Sequence, residues 1–276
     1  MPPDLAFLLR LVRDTARSEL LPRFAAVTAQ TKPDGSAVTE ADLVMQDRLQ
    51  EALARHWPGT AFFSEEMTVA EHERLIAEGG RDLWCLDPLD GTTNYACGLP
   101  FFSVSLALLE GGRPRLAVVY DPVRDECFSA TQGAGAWFND TPLHGRRREV
   151  PPALRRCVAV VDFKRLEKHL GGALGSNPPY ASQRNFGSSA LEWCWLALGR
   201  FHLYLHGGQR LWDYAAGSLL LSEAGGISAT LEGEPVFLMT DAPRSVVAVA
   251  DQSLFDAWSG WLLHAARREG PFWNQS

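Results

Sequence analysis

Leu83-Trp84-Cys85-Leu86-Asp87-Pro88-Leu89-Asp90-Gly91-Thr92-Thr93-Asn94 runs from a wholly apolar segment into two carboxylates that flank a proline. Residues 83–86 have the short, apolar character of a buried strand. Asp90-Gly91 is a strong turn signal, so one reading is simply a strand that ends in a turn. A turn needs no second acid at the mouth of a buried strand, however. An acid there is costly unless a cation or hydrogen bonds compensate it. The other reading is a metal site. Hard divalent cations such as Mg²⁺ take carboxylate and carbonyl oxygens, and Asp87 and Asp90 could share two ions with the Leu89 carbonyl between them. Gly91 lets backbone N–H groups approach an anion, and a helical turn starting at Thr92 would form a phosphate cradle. The residues of this stretch leave both readings open.

Toward the N-terminus, Ala61-Phe62-Phe63 predicts a short strand that ends in Ser64-Glu65-Glu66, a sequence that on its own is usually a solvated loop. A helix is predicted over 39–56, with Thr39 as N-cap, Asp42 three residues later as an imperfect capping box, and Pro58-Gly59 as its stop. Leu5, Leu8, Leu9, Val12 and Ala16 share one face of a first helix. Between the two helices lies the turn-rich loop Thr31-Lys32-Pro33-Asp34-Gly35-Ser36, whose lysine could approach the acids when the loop closes.

Toward the C-terminus, strands at 101–109 and 115–120 join through Gly111-Gly112, and 126–130 and 136–138 continue an antiparallel pattern. The basic, proline-containing stretch 146–152 is the expected boundary. Beyond it the spacing predicts strand 157–161, helix 164–170, a Gly/Asn/Pro loop, helix 188–198, strand 203–205, helix 213–223 closed by Gly225-Gly226, and strand 245–250. The expected organisation is an antiparallel α+β half (1–146) joined to an α/β half (147–276). In Trp212-Asp213-Tyr214 the aspartate suits a helix N-cap and could also face a metal. Glu65, Asp87, Asp90 and Asp213 could thus converge from three chain segments.

Composition excludes several classes. With 276 residues, 46% apolar and 21% charged, the chain can bury a core without disulfide or metal staples. Its longest apolar stretch, near 101–109, is far short of the roughly 20 residues a membrane span needs. Charges throughout the first twenty residues speak against a signal peptide. A net charge of −7 argues against indiscriminate nucleic-acid binding. The odd number of cysteines, five with no C-x-x-C, reads as reduced thiols in a cytoplasmic protein. Dinucleotide, Walker, nucleophile-elbow and H-E-x-x-H motifs are all missing from the sequence, and the seven histidines lack metal-ligand spacing. Trp193 and Trp195 point to different faces of one predicted helix, so one could pack on a second subunit.

Several ordered motifs together resemble the inositol monophosphatase family of Mg²⁺-dependent, lithium-sensitive phosphatases, over nearly the whole chain. Asp87-Pro88-Leu89-Asp90-Gly91-Thr92 looks like the family's first signature. Trp212-Asp213-Tyr214-Ala215-Ala216-Gly217 through Gly225-Gly226 looks like the second. Ser64-Glu65-Glu66, Val38-Thr39-Glu40-Ala41-Asp42, Val119-Tyr120-Asp121-Pro122-Val123 and Gly187-Ser188-Ser189-Ala190-Leu191 are further matches. The resemblance implies a layered α/β/α/β/α sandwich, often dimeric, so a homodimer is expected. It also implies that Glu65, Asp87 and the Leu89 carbonyl hold one Mg²⁺, that Asp87, Asp90 and Asp213 hold a second, and that a third, weaker ion can bind near Glu65. The Gly91 and Thr92 N–H groups would bind phosphate. Thr92, paired with Asp42, would orient the attacking water, which Glu65 helps to activate. Carboxylates loaded with Mg²⁺ present local positive charge, which reconciles an acidic protein with an anionic phosphate ester as substrate.

The resemblance also frames the choice of substrate. Asp90, Asp213, Gly187, Ser188, Ser189 and the segment around His206 would meet the leaving group. Inositol-cleaving members typically carry a Glu where this chain has His206, and histidine suits a second phosphate or carboxylate at least as well as an inositol ring. Arg184 and Arg210 could bind that second anion or pair with acids. The expected activity is hydrolysis of an inositol phosphate or a related polyol or sugar phosphate. Histidinol phosphate and 3′-phosphoadenosine 5′-phosphate are alternatives within the family. A regulatory protein on the same fold, similar to members that bind transcription machinery, is the non-enzymatic alternative.

Overall fold

A computed structural model of the chain describes residues 4–32, 35, 37–143, 151 and 153–267. The first layer holds helices α1 (Leu5–Glu19) and α2 (Glu40–His56), with a small hairpin of β1 (Gln30–Thr31) and β2 (Ala37–Val38) between them in the chain. The second layer is a seven-stranded sheet whose strands follow one another in chain order. They are β3 (Ala61–Ser64), β4 (Leu83–Asp90), β5 (Ser103–Glu110), β6 (Arg113–Asp121), β7 (Glu126–Thr131), β8 (Gly135–Phe138) and β9 (Thr141–Pro142). Helix α3 (Val69–Glu78) links β3 to β4, and the short α4 (Thr92–Ala96) follows β4. A second sheet has the order β11-β10-β12-β14-β13, built from β10 (Val158–Asp162), β11 (Ser182–Arg184), β12 (Leu203–Gln209), β13 (Ile227–Ala229) and β14 (Arg244–Val249). Helices α6 (Ser189–Ala197) and α7 (Leu211–Glu223) lie between the sheets, and α5 (Lys168–Ser176) and α8 (Gln252–Arg267) form the outer layer.

The alternation of the pleat produces this layering. Along β4, Trp84 and Leu86 face Leu8, Val12, Met45 and Leu49 of the first helical layer, while Leu83 and Cys85 face Trp193 and Leu220 of the central one. Along β10, Val160 joins that central core, and Ala159 and Val161 face Leu170 and Trp258 of the outer layer. Both sheets are therefore buried on two faces, and the order is α/β/α/β/α, as the resemblance implies.

Some expectations need correction. The first sheet is not wholly antiparallel, because α3 carries the chain back so that β3 and β4 run parallel. The helix expected over 164–170 starts later. Phe163–Arg165 is a single 3-10 turn, and α5 runs on to Ser176 through Gly171, Gly172 and Gly175. Packing of Leu170, Ala173 and Leu174 overrides the poor helix propensity of those glycines. Asp213 is not an N-cap: α7 begins at Leu211, and Asp213 is its third residue, accepting the Arg210 N–H at 2.7 Å. Helices α3 and α8 escaped the sequence reading. Thr68 with Glu71 forms a complete capping box for α3, and Leu254, Trp258, Leu262 and Ala265 make the buried stripe of α8. The expected boundary stretch lies outside the described residues except for Pro151, as do Pro33, Asp34 and Ser36 of the turn-rich loop.

Candidate metal and phosphate site

β4 continues through both aspartates. In a regular strand, residues three apart point to opposite faces. Here Asp87 pairs with Ser105 and Asp90 with Ser103, so β4 holds one residue more than β5 over this interval. That bulge, at Pro88-Leu89, brings both carboxylates to the same side and accommodates a proline that a regular ladder would reject. Asp87 Oδ1 accepts the Leu89 N–H at 3.1 Å, which fixes its rotamer.

Asp213 arrives from the first turn of α7. One oxygen from each of Asp87, Asp90 and Asp213 lies within 4.8 Å of the others. Asp90 is held from the far side by α6, accepting from Ser188 Oγ at 2.6 Å and from the Ser189 and Ala190 N–H groups at 3.1 and 2.7 Å. Burial raises all three carboxyls. Repulsion from the neighbouring acids adds to it at Asp87, which stands well above its ordinary value, and at Asp213, which is pushed up to about 8, whereas at Asp90 the hydrogen bonds from Ser188, Ala190 and Ser189 act against it. For Asp213 the Arg210 N–H and the Arg165 charge act the other way.

Glu65 follows the end of β3. Its carboxyl is raised by burial, against which Lys32 acts, and Asp87 lies within hydrogen-bond reach. Lys32 reaches in from the loop after β1, 3.0 Å from Glu65 Oε1 and 2.7 Å from Glu66 Oε1. Glu66 itself is pushed up to about 7 by burial and then by Glu65. A lysine ammonium already serves as cation to one edge of the cluster, while Asp87, Asp90 and Asp213 have no protein cation in hydrogen-bond contact among the described residues. Three oxygen ligands with raised carboxyls, those of Asp87 and Asp90 buried and that of Asp213 half-buried, suit a hard divalent cation such as Mg²⁺.

Beside them stands a second device. Asp42 accepts from the Thr39 N–H at 2.7 Å and Thr39 Oγ1 at 2.6 Å, completing the cap of α2. Its other oxygen faces Thr92 Oγ1 at 3.0 Å, and that hydroxyl also lies 2.9 Å from the Leu89 carbonyl. Burial pushes Asp42 up to about 6 against these hydrogen bonds. Gly91 precedes α4 at φ +94°, a left-handed conformation that a side chain would strain.

Glu65, Asp87, Leu89, Asp90, Gly91, Thr92 and Asp213 line one polar cleft of about 430 Å³, whose opposite wall carries Gly187, Ser189 and His206, while Asp42 is buried behind Thr92. Ser188 is fully buried behind that wall, its hydroxyl on Asp90 and 3.2 Å from Ser103 Oγ. His206 Nδ1 accepts the Gly208 N–H at 3.1 Å, so the ring proton sits on Nε2, 3.1 Å from Asp162 Oδ2. Arg184 and Arg210 are turned elsewhere, to Ser182 Oγ and to the Asp241 carbonyl. Asp162, Lys164 and Arg165 line the cleft instead. The sequence held one clue to them: Asp162, like Asp87, is an acid at the end of a buried apolar strand. Glu192, also missed, holds the Phe186 and Gly187 N–H groups at 2.8 and 3.1 Å from below, and burial pushes it up to about 7.

The sequence model of the inositol monophosphatase family matches residues 5–267. The chain is 35% identical to the Nus factor SuhB of Pasteurella multocida over 231 residues, 80% of this chain and 84% of that one. It is 34% identical to the Nus factor SuhB of Escherichia coli K12 over 217 residues, 78% and 79% of the two chains. Among solved structures, the IMPase of Thermotoga maritima superposes with a TM-score of 0.80 at 26% identity, over 95% of this chain and 97% of that one. The extragenic suppressor protein SuhB of Bartonella henselae gives 0.78 at 26%, over 96% and 99%.

Proposed function

The chain belongs to the inositol monophosphatase family, and from that premise we propose that it hydrolyses a small phosphate monoester of the inositol, polyol or sugar-phosphate kind with Mg²⁺ in the carboxylate cluster. The observation that carries this reading is the convergence of Asp87, Asp90 and Asp213 within 4.8 Å at the floor of a polar cleft. Glu65, Asp87 and the Leu89 carbonyl would hold one ion, and Asp87, Asp90 and Asp213 the other. Bound Mg²⁺ supplies charge neutralisation for a dianionic ester and lowers the pKa of bound water.

The chain's own groups do the positioning. The Thr92 hydroxyl donates toward Asp42 or the Leu89 carbonyl. Its lone pairs therefore remain to accept a hydrogen bond from a water aimed at phosphorus, and Glu65 takes the proton released. The Gly91 and Thr92 N–H groups receive phosphate oxygens as α4 begins. The leaving group lies against Gly187, Ser189 and His206. Five cysteines without disulfides fit a reducing, cytoplasmic setting.

The test is phosphate release from inositol 1-phosphate, histidinol phosphate, 3′-phosphoadenosine 5′-phosphate and fructose 1,6-bisphosphate, with Mg²⁺ and with chelator, beside Asp87→Asn. Release that needs both metal and Asp87 supports the reading. No release from any substrate by folded, metal-supplied protein argues against it. A second reading, a regulatory binding protein, is favoured by the name Nus factor that the similar SuhB proteins carry. Partner capture that is indifferent to Asp87→Asn would support that role.

A further inference from the structure

The cleft has a second chemical feature, at the turn that follows β10. Asp162 organises it. One carboxylate oxygen accepts the Lys164 N–H at 2.8 Å and the other takes His206 Nε2 at 3.1 Å, across the register pair Asp162–His206. Burial works against the charged form of Asp162, but His206, the Lys164 N–H and Arg165 outweigh it and hold the carboxyl below its ordinary value. The turn is pressed directly onto β12. A Cβ at Gly207 would overlap the Arg165 carbonyl, so only glycine admits this approach. Arg165 Nη1 then donates to the Gly208 carbonyl at 3.0 Å.

This anchorage places Lys164 and Arg165 on the wall of the cleft that holds the carboxylates. The charges on this wall do not cancel. Asp162 contributes one negative charge, already satisfied by its own hydrogen bonds to the Lys164 N–H and His206 Nε2. Lys164 and Arg165 contribute two positive charges, and the Lys164 ammonium has no carboxylate partner among the described residues.

We propose that the Lys164–Arg165 turn receives a second oxyanion on the leaving-group side, so that the preferred substrates are phosphate esters carrying another phosphate or carboxylate. This rests on the hydrolase reading of the cleft. A phosphate at the carboxylate cluster leaves the alcohol portion facing this wall, and a neutral polyol would leave the two cations unused. Guanidinium and ammonium groups are the side chains suited to a phosphate oxygen at this distance from the protein core.

The experiment compares kcat/KM of the Mg²⁺-supplied full chain for a matched pair, fructose 1-phosphate and fructose 1,6-bisphosphate. A second pair, adenosine 3′-monophosphate and adenosine 3′,5′-bisphosphate, repeats the comparison. The bisphosphate should be preferred by about tenfold or more, the scale of one charge-assisted hydrogen bond. Lys164→Gln, at an exposed position, should reduce that preference by about tenfold through KM. Arg165→Gln should reduce it further. Equal kcat/KM within both pairs, or a preference that Lys164→Gln leaves intact, overturns the second-anion site while the hydrolase reading stands. Failure to hydrolyse all four compounds overturns this inference, and the hydrolase reading falls with it only when inositol 1-phosphate and histidinol phosphate release no phosphate either.

Discussion

Lys32 Nζ stands 3.0 Å from Glu65 Oε1, although the two residues belong to different layers of the fold and are 33 positions apart. The same ammonium reaches Glu66 at 2.7 Å. Burial disfavours a charged lysine, yet the two carboxylates outweigh it and hold the Lys32 ammonium above its ordinary range. In the metal-free protein, Lys32 neutralises the edge of an otherwise anionic cluster. It competes for an oxygen that a divalent ion would take.

Lys32→Gln should therefore destabilise the protein in chelator by about 1–3 kcal/mol, since it strands two largely buried carboxylates. With excess Mg²⁺ the deficit should shrink, and the variant should bind Mg²⁺ more tightly than the wild type. Denaturant melts with and without Mg²⁺, together with a Mg²⁺ titration, check this. Equal losses in both conditions would show that Lys32 is only a structural ion pair.

The raised carboxyls set the sign of the pH dependence. Asp213 is pushed up to about 8, Glu192 to about 7 and Asp42 to about 6, all above unfolded values near 4. Between about pH 4 and 8 the native state then holds more protons than the unfolded chain, so its stability falls as pH rises through that window. Bound Mg²⁺ requires deprotonated ligands, which reverses the slope. Melting curves at pH 5 and pH 8 should show the chelated protein weaker at pH 8 and the Mg²⁺-supplied protein stronger there. A chelated protein that gains stability toward pH 8 would contradict the assignment.

Much of the site could be read from the chain, and the remainder shows what a sequence conceals. Asp87, Asp90 and Asp213 were legible because acids at the ends of apolar segments are costly without a purpose. The bulge that turns Asp87 and Asp90 to one side was not, because a register shift depends on the partner strand. Asp213 was legible as a residue near a helix start, but its exact place in the first turn depends on the Arg210 cap. Arg184 and Arg210 were plausible anion ligands from chain proximity alone. The structure turns both away and puts Lys164 and Arg165 on the cleft, because β10 and β12 are neighbours in space through a parallel pairing that no local pattern announces.

Thr92 offers a sharper test of the water-orienting pair. Its hydroxyl lies between Asp42 Oδ1 and the Leu89 carbonyl, and the residue is buried. Thr92→Ser keeps the hydroxyl and should retain activity within about tenfold. Thr92→Val keeps the shape but removes the donor, and it should lower kcat by about 10²–10³, in the range of a lost acid–base or orienting group. Steady-state kinetics on the best substrate of the panel decide it. Equal activity of the two variants would remove Thr92 from the mechanism.

Gly91 and Gly172 should respond to the same substitution in opposite directions. Gly91 has φ +94°, and a Cβ there would stand 3.1 Å from the Phe101 carbonyl, 3.2 Å from the Gly187 carbonyl and 3.3 Å from Phe102 Cα. All three neighbours are backbone, in the segment that leads into β5 or in the loop that Glu192 anchors, so none can swing aside as a flexible side chain would. Gly91→Ala combines left-handed strain with overlap and should cost about 2–3 kcal/mol. It should also weaken phosphate binding, because the Gly91 and Thr92 N–H groups start the cradle. Gly172 lies exposed inside α5 on ordinary helical backbone, and a methyl group added there would meet nothing within 4 Å. Gly172→Ala should therefore stabilise the protein by about 0.5–1 kcal/mol, the ordinary helix-propensity gain. Denaturant melts of the two variants measure both signs at once. If Gly91→Ala is neutral, the close packing of the turn against Phe101 and Gly187 is not a constraint on the site.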